Sequence, residues 1–266
     1  MKAIVFVGGG RITSALVAGL RAENYGRRMT VYDRNGSKMR ALQRQFRVEI
    51  APDLASALAQ AQLVIVAVRP ASVTELLAQV AGCQRRPKLW VSLAAGIPLK
   101  VLRLGLGAPV TWVRAMPSPA SRIRQGLTGL CFDRSVTKSD RTRVRSLFAA
   151  VGQTIEIPEP RFDAFTATYS SSHGYHALAA LAKAAQEAGL DRKTALVAAA
   201  HALADGILYW RAVGISLESL LHEAATPGGI AAATIEETDD AGYQKAVARG
   251  LRAGIMRAQR NARARP

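Results

Sequence analysis

Cysteine is scarce in this 266-residue chain: only Cys83 and Cys131 occur, with no metal-ligand spacing around either. That excludes a disulfide framework or a structural zinc site as the organising device, and no metal is expected. Aromatic residues make up 6% and none lies beyond Tyr243. The basic residues therefore lack the interleaved rings of a nucleic-acid surface, and no nucleic-acid partner is expected. Acidic residues are the other shortage, 19 against 36 Lys and Arg, for a formal net charge of +17. Such an imbalance favours small anionic partners, phosphate-bearing cofactors or acidic metabolites. Seven of the basic residues and no acid fall between Lys245 and Pro266, which reads as a solvated final helix with a frayed, Arg-rich end. No apolar run is long enough to span a membrane, and the opening Met1–Val7 is too short for a signal peptide. A cytoplasmic protein without a membrane partner is expected. The remaining composition, 49% apolar and 21% charged, is that of a globular chain able to bury a sizeable core.

Through the first 155 or so residues, short apolar runs alternate with amphipathic stretches. Ala3–Val7 is a continuous apolar run ending in Gly8-Gly9-Gly10, the pattern of a strand buried on both faces. Further strands are predicted at Met29–Asp33, Leu63–Val68, Leu89–Leu93, Val110–Arg114, Leu127–Phe132 and Gln153–Ile157. Helices are predicted from Ile12, over Ser37–Phe46 and over Arg141–Ala150. This rhythm predicts a doubly wound parallel α/β sheet, a Rossmann domain over residues 1–158. After Pro158 and Pro160 the pattern is helical only: 13 of the 28 residues from Ala177 to Ala204 are alanine, a strong helix signal. An all-α domain over 159–266 with so few large side chains is thin by itself, and burial against an identical unit predicts a homodimer, with a higher oligomer left open.

Gly8-Gly9-Gly10-Arg11-Ile12-Thr13 stands at the first strand-to-helix turn. It matches G-x-G-x-x-(G/A) at its first two positions, with Thr13 in the third. Glycine permits the tight turn, then the close approach of backbone to a pyrophosphate at a helix N-terminus. Gly8, Gly10, Arg11, Ile12 and Thr13 are accordingly cofactor candidates. Asp33, 23 residues past Gly10, stands where a carboxylate would accept from both ribose hydroxyls and favour NADH. Arg34 follows at once and could take a 2′-phosphate, favouring NADPH. The two residues point opposite ways, so the cofactor is NADPH or NADH.

Taken together the chain resembles the pyrroline-5-carboxylate reductases, which reduce a cyclic imine in proline biosynthesis. The likeness runs nearly end to end. It rests on Gly8-Gly9-Gly10, Ala67-Val68-Arg69-Pro70, Val91–Gly96, Val113-Arg114-Ala115-Met116-Pro117, Tyr169–Tyr175 and Thr226-Pro227-Gly228-Gly229. It implies a Rossmann domain, a helical dimerisation domain, and active sites formed between one chain's cofactor cleft and helices of both chains. By position, Val68, Arg69 and Pro70 would line the dinucleotide, and Ala94, Ala95, Met116 and Pro117 would surround the nicotinamide. Ser118, Ser171, Ser172, Thr226, Gly228, Gly229 and Ile230 would meet the substrate.

Three departures stand out. Ser118 replaces the asparagine of the family's Pro-Asn-Thr-Pro. The Ser-Gly-Ser-Gly-Pro-Ala-Tyr segment becomes Tyr169-Ser170-Ser171-Ser172-His173-Gly174-Tyr175. Most telling, the Ser-Pro-Gly-Gly-Thr-Thr loop, whose backbone and hydroxyls hold the substrate carboxylate in the family, ends here in Ile230-Ala231. Each hydroxyl lost to a bound charged group costs about 1.5–3 kcal/mol. His173 and Tyr175 are the candidate catalytic donors for the imine nitrogen. Tyr169 ranks last in that segment. His176, His201 and His222 read as structural or exposed. A β-hydroxyacid dehydrogenase would need a lysine early in the second half, and Lys183 comes too late. The expected function is NAD(P)H-dependent reduction of a cyclic imine such as 1-pyrroline-5-carboxylate. The alternatives are an imine reductase of another pathway and a silent dinucleotide-binding sensor.

Overall fold

A computed structural model describes residues 3–263. Eight strands form one sheet: β1 (Ala3–Val7), β2 (Met29–Tyr32), β3 (Glu49–Ile50), β4 (Ala61–Val66), β5 (Leu89–Ser92), β6 (Thr111–Met116), β7 (Gly126–Phe132) and β8 (Gly152–Glu156). Their order is β3-β2-β1-β4-β5-β6-β7-β8. Helices α1 (Arg11–Ala22), α2 (Gly36–Phe46), α3 (Leu54–Ala59), α4 (Val73–Ala81), α5 (Leu99–Gly105) and α6 (Lys138–Ala149) join them, and α7 (Glu159–Thr168) follows β8. The switch in direction between β1 and β4 places the first glycine turn at the crevice where open α/β sheets take ligands.

The sheet is the parallel-dominated one that the sequence predicts, with one exception: β7 runs antiparallel to β6. Only residues 117–125 join them, and a parallel crossover needs a dozen or more. The chain therefore reverses through a short 3₁₀ turn, Pro119–Ile123. Two smaller corrections concern β4, which begins and ends two residues earlier than Leu63–Val68, and Asp33, which lies just past β2. Val68 and Arg69 thus belong to the loop that enters the turn Pro70–Ser72.

Both faces of the sheet are covered. Ala3, Val5 and Val7 join a core with Trp90, Trp112 and Leu102, while Ile4 and Phe6 point into a second core with Leu16, Leu20 and Phe148. Arg114 is 2% exposed, and its charge is met from α7: Glu159 Oε1 at 3.1 Å and Asp163 Oδ1 at 2.6 Å. Its guanidinium also lies 4.4 Å from the Phe162 ring centre. A buried cation of this kind demands its partners, so Arg114 fixes α7 against β6.

The chain divides into two compact units: residues up to Tyr169 together with those from Ala253 onward, and Ser170–Arg252. The second unit contains α8 (Ser171–Glu187), α9 (Arg192–Val213), α10 (Leu217–Ala224), α11 (Ile230–Asp240) and the first half of α12 (Tyr243–Arg263). Its alanine-rich stretch breaks at Gly189, whose φ is +102°, and α9 restarts with Asp191 accepting from the N–H groups of Lys193 and Thr194. Ala182, Ala195 and Ala199 are buried, whereas Leu196, Ile207, Leu208, Tyr209 and Trp210 remain 44–60% exposed.

The sequence suggests a solvated final helix; most of α12 is exposed, but one side of it is covered near Ala258 and Asn261. Ala258 is 6% exposed, and Asn261 Nδ2 donates to Ala95 O at 3.4 Å. Gly96, at φ +76°, sits so close to Ala258 that an added Cβ would fall 2.3 Å from its carbonyl oxygen. The Arg-rich extremity, including Arg265, lies outside the described residues. No helix among the described residues is long and apolar enough to cross a membrane.

Candidate active site

The first glycine turn is shaped by what stands next to it. Gly8 has φ +112°, and a Cβ there would lie 2.5 Å from Ala67 O on the neighbouring strand's exit. Only glycine tolerates both conditions. At Gly10, by contrast, a Cβ would meet nothing within 4 Å. Gly10 is the N-cap of α1 and offers no side chain to it, so the helix's first N–H groups have no side-chain cap. Thr13 is fully buried and donates from Oγ1 to Gly8 O at 2.6 Å. It braces the turn from below, and Ile12 packs against the core. Arg11 is exposed at the helix start.

Beside this turn a cleft of about 490 Å³ brings together Gly8, Gly10, Asp33, Arg34, Val68 and Arg69. Lys38 and Glu75 complete its charged wall. Asp33 is committed to the loop: Oδ2 accepts the Gly9 N–H at 2.7 Å and Oδ1 the Asn35 N–H at 2.8 Å. Arg34 pairs with Glu75. An uncapped helix N-terminus, empty space at Gly10 and three cations fit the phosphates and ribose of a dinucleotide. Pro70 opens the next 3₁₀ turn, outside this lining.

The same edge of the sheet carries the exits of β5 and β6. Ala94 is buried, with its N–H on Ser92 Oγ, and Ala95 is the residue held by Asn261. Met116 ends β6, and buried Pro117 leads to Ser118. There the structure adds a contact that the sequence reading had ranked last: Tyr169 Oη donates to Ser118 Oγ at 3.0 Å and accepts the Leu127 N–H at 2.6 Å.

The other expected residues belong to the second unit. Ser170 caps α8, and its hydroxyl lies 2.7 Å from that of Ser172. Ser171, Ser172, His173 and Tyr175 occupy the first turns of that helix, His173 and Tyr175 both exposed in the isolated chain. Thr226-Pro227-Gly228-Gly229 forms a tight turn, the Gly229 N–H donating to Thr226 O at 2.8 Å with Gly228 at φ +75°. Proline then glycine at the two central positions is the type II arrangement. Gly229 is the N-cap of α11 and gives it no side-chain bond. Ile230 is 90% exposed.

Residues 3–96 match the family model "NADP oxidoreductase coenzyme F420-dependent", and residues 159–261 match "Pyrroline-5-carboxylate reductase dimerisation". A pyrroline-5-carboxylate reductase of Mycobacterium tuberculosis is 30% identical, the alignment covering 97% of this chain and 96% of the relative. The chain belongs to the pyrroline-5-carboxylate reductase family. A solved 1-pyrroline-5-carboxylate reductase from Streptococcus pyogenes, 25% identical, superposes with a TM-score of 0.88 over 97% of this chain and 98% of its own. A Plasmodium falciparum pyrroline carboxylate reductase solved with NADP bound shares the fold at 18% identity, TM-score 0.87, over 98% of each chain.

Proposed function

We propose that the protein reduces 1-pyrroline-5-carboxylate to proline with NADPH or NADH, acting in the cytoplasm as a homodimer. The single observation that carries the reading is the end-to-end family match combined with the geometry of the glycine turn, closed at Gly8 and open at Gly10. The cofactor supplies the hydride. Gly8, Gly10, Arg11 and Thr13 receive or brace its pyrophosphate. Asp33 and Arg34 take the adenosine ribose, and Val68, Arg69 and Pro70 line the dinucleotide. Ala94, Ala95, Met116 and Pro117 surround the nicotinamide.

The Thr226–Ala231 loop keeps its backbone donors at the start of α11 although Ile230 and Ala231 carry no hydroxyl, and backbone N–H groups there suffice to hold a carboxylate. Ser171, Ser172, His173 and Tyr175 complete the substrate side. The exposed apolar side chains of α9 support the homodimer, since they need a partner surface.

The test is oxidation of NADPH and of NADH, in parallel, by the purified protein offered pyrroline-5-carboxylate, with its mass measured by light scattering. Turnover by a dimer is expected. Tight cofactor binding without turnover would move the substrate to another cyclic imine, and cofactor binding with no consumption for any imine would leave the sensor reading.

A further inference from the structure

Tyr169 and Ser118 stand 51 positions apart and meet through their hydroxyls. The Leu127 N–H can only donate, and it donates to Tyr169 Oη at 2.6 Å. The phenol is the more acidic of the two hydroxyls and so the better donor; it donates to Ser118 Oγ at 3.0 Å. The relay therefore has a direction. Ser118 Oγ accepts from tyrosine and keeps its own proton for something else.

Ser118 occupies the N-cap of the Pro119–Ile123 turn, a position where serine ordinarily accepts from the backbone, yet its side chain makes no capping bond. It is 6% exposed, and among the described residues its O–H meets no acceptor. The Ser118 hydroxyl proton is thereby left available to a ligand.

The tyrosine is itself held firmly. Its ring stacks on Phe165, centroids 5.4 Å apart at 29°. Phe165 lies so close over Gly129 that a Cβ there would overlap the ring. Gly129 is the β7 register partner of Met116, two residues before Ser118.

We propose that Tyr169 is a positioning residue that fixes Ser118 as a hydrogen-bond donor to the ring nitrogen of the cyclic imine. The proposal rests on the reductase reading above. Hydride addition to the imine carbon moves the double-bond pair onto nitrogen, and a donor already aimed there is worth more in the transition state than in the ground state. Ser118 forms no covalent bond in this role.

The experiment compares the full-length wild type, Ser118→Ala, Tyr169→Phe, the double variant and Ser118→Thr with NADPH and pyrroline-5-carboxylate. NADPH affinity by fluorescence and thermal melts run beside the kinetics. Ser118→Ala should lower kcat about 10- to 100-fold with KM little changed. Tyr169→Phe should lower it about 3- to 10-fold. In the Ser118→Ala background the tyrosine change should matter less than about twofold. Ser118→Thr should recover most of the loss, and NADPH affinity should stay within about twofold throughout. Equal loss from Tyr169→Phe in both backgrounds, an effect on KM alone, or an unaffected Ser118→Ala would each overturn the proposal. If the wild type itself fails to turn over, the reductase reading falls first and this inference with it.

Discussion

Arg34 Nη1 donates to Glu75 Oε1 at 2.7 Å, and both side chains line the cleft shared with Lys38, Arg69 and Asp33. The pair is more than half exposed on each side, so it is worth at most about 1 kcal/mol. A 2′-phosphate would compete with Glu75 for the same guanidinium. Glu75→Gln should therefore improve the KM for NADPH relative to NADH, by a factor of about five at most. An unchanged ratio would place the phosphate elsewhere.

The two outer glycines of the first turn should fail differently. Gly10→Leu has room for its side chain and should keep its melting temperature within about 2 °C. Its side chain fills the phosphate approach, so NADPH binding should fall roughly a hundredfold or more. Gly8→Ala meets Ala67 O and a positive φ, and should lower the melting temperature as well. Calorimetry and cofactor fluorescence separate the two, and retained binding in Gly10→Leu would remove the cofactor assignment.

Cys131 Sγ donates to Glu159 Oε2 at 3.1 Å. Burial, helped by that neighbouring carboxylate, pushes its thiol up to about 12. The thiolate is the reactive form, so Cys131 should resist alkylation at pH 8 in the folded protein. Cys83 is only half-buried and should react first. Mass spectrometry after a timed iodoacetamide pulse reads the order, and fast labelling at Cys131 would contradict the burial argument.

Asp133 is buried between Arg103, 2.8 Å from Oδ2, and Ser135, whose N–H and hydroxyl reach Oδ1. Burial acts to raise its pKa, but the bonds from Ser135 and Arg103 outweigh it and hold the carboxyl below its ordinary value. A carboxyl depressed on folding adds stability that is complete above the unfolded value, about 3.9, and is lost as pH falls through the lower folded value. Asp133→Asn should melt earlier than wild type at pH 6, and the gap should narrow below about pH 4. A pH-independent gap would mean that geometry, and not charge, is what Asp133 contributes.

Much of the first unit was legible because buried strands leave unbroken apolar runs, and Ala3–Val7 followed by three glycines has few other meanings. The direction of β7 left no mark in Leu127–Phe132 itself; the nine-residue link before it was the available signal. The short helices α3, α4 and α5 were missed because their apolar residues merge with adjoining strands and loops. Tyr169 ranks last in the sequence because its partners, Ser118 and Leu127, are brought to it only by tertiary packing. The docking of α12 has a trace in sequence, the small residues Gly254 and Ala258 four positions apart on one helix face.

That docking alters what counts as an autonomous piece of this protein. The loop Ala95-Gly96, on the exit of β5, is finished by residues more than 160 positions later. A fragment ending at Tyr169 would retain every strand of the sheet, yet it would expose the backbone that Ala258 covers and free the carbonyl that Asn261 holds. The first unit is thus completed by a segment that follows the second, and a substitution that shifts Ala258 or Asn261 would disturb the Ala95-Gly96 loop from far along the chain.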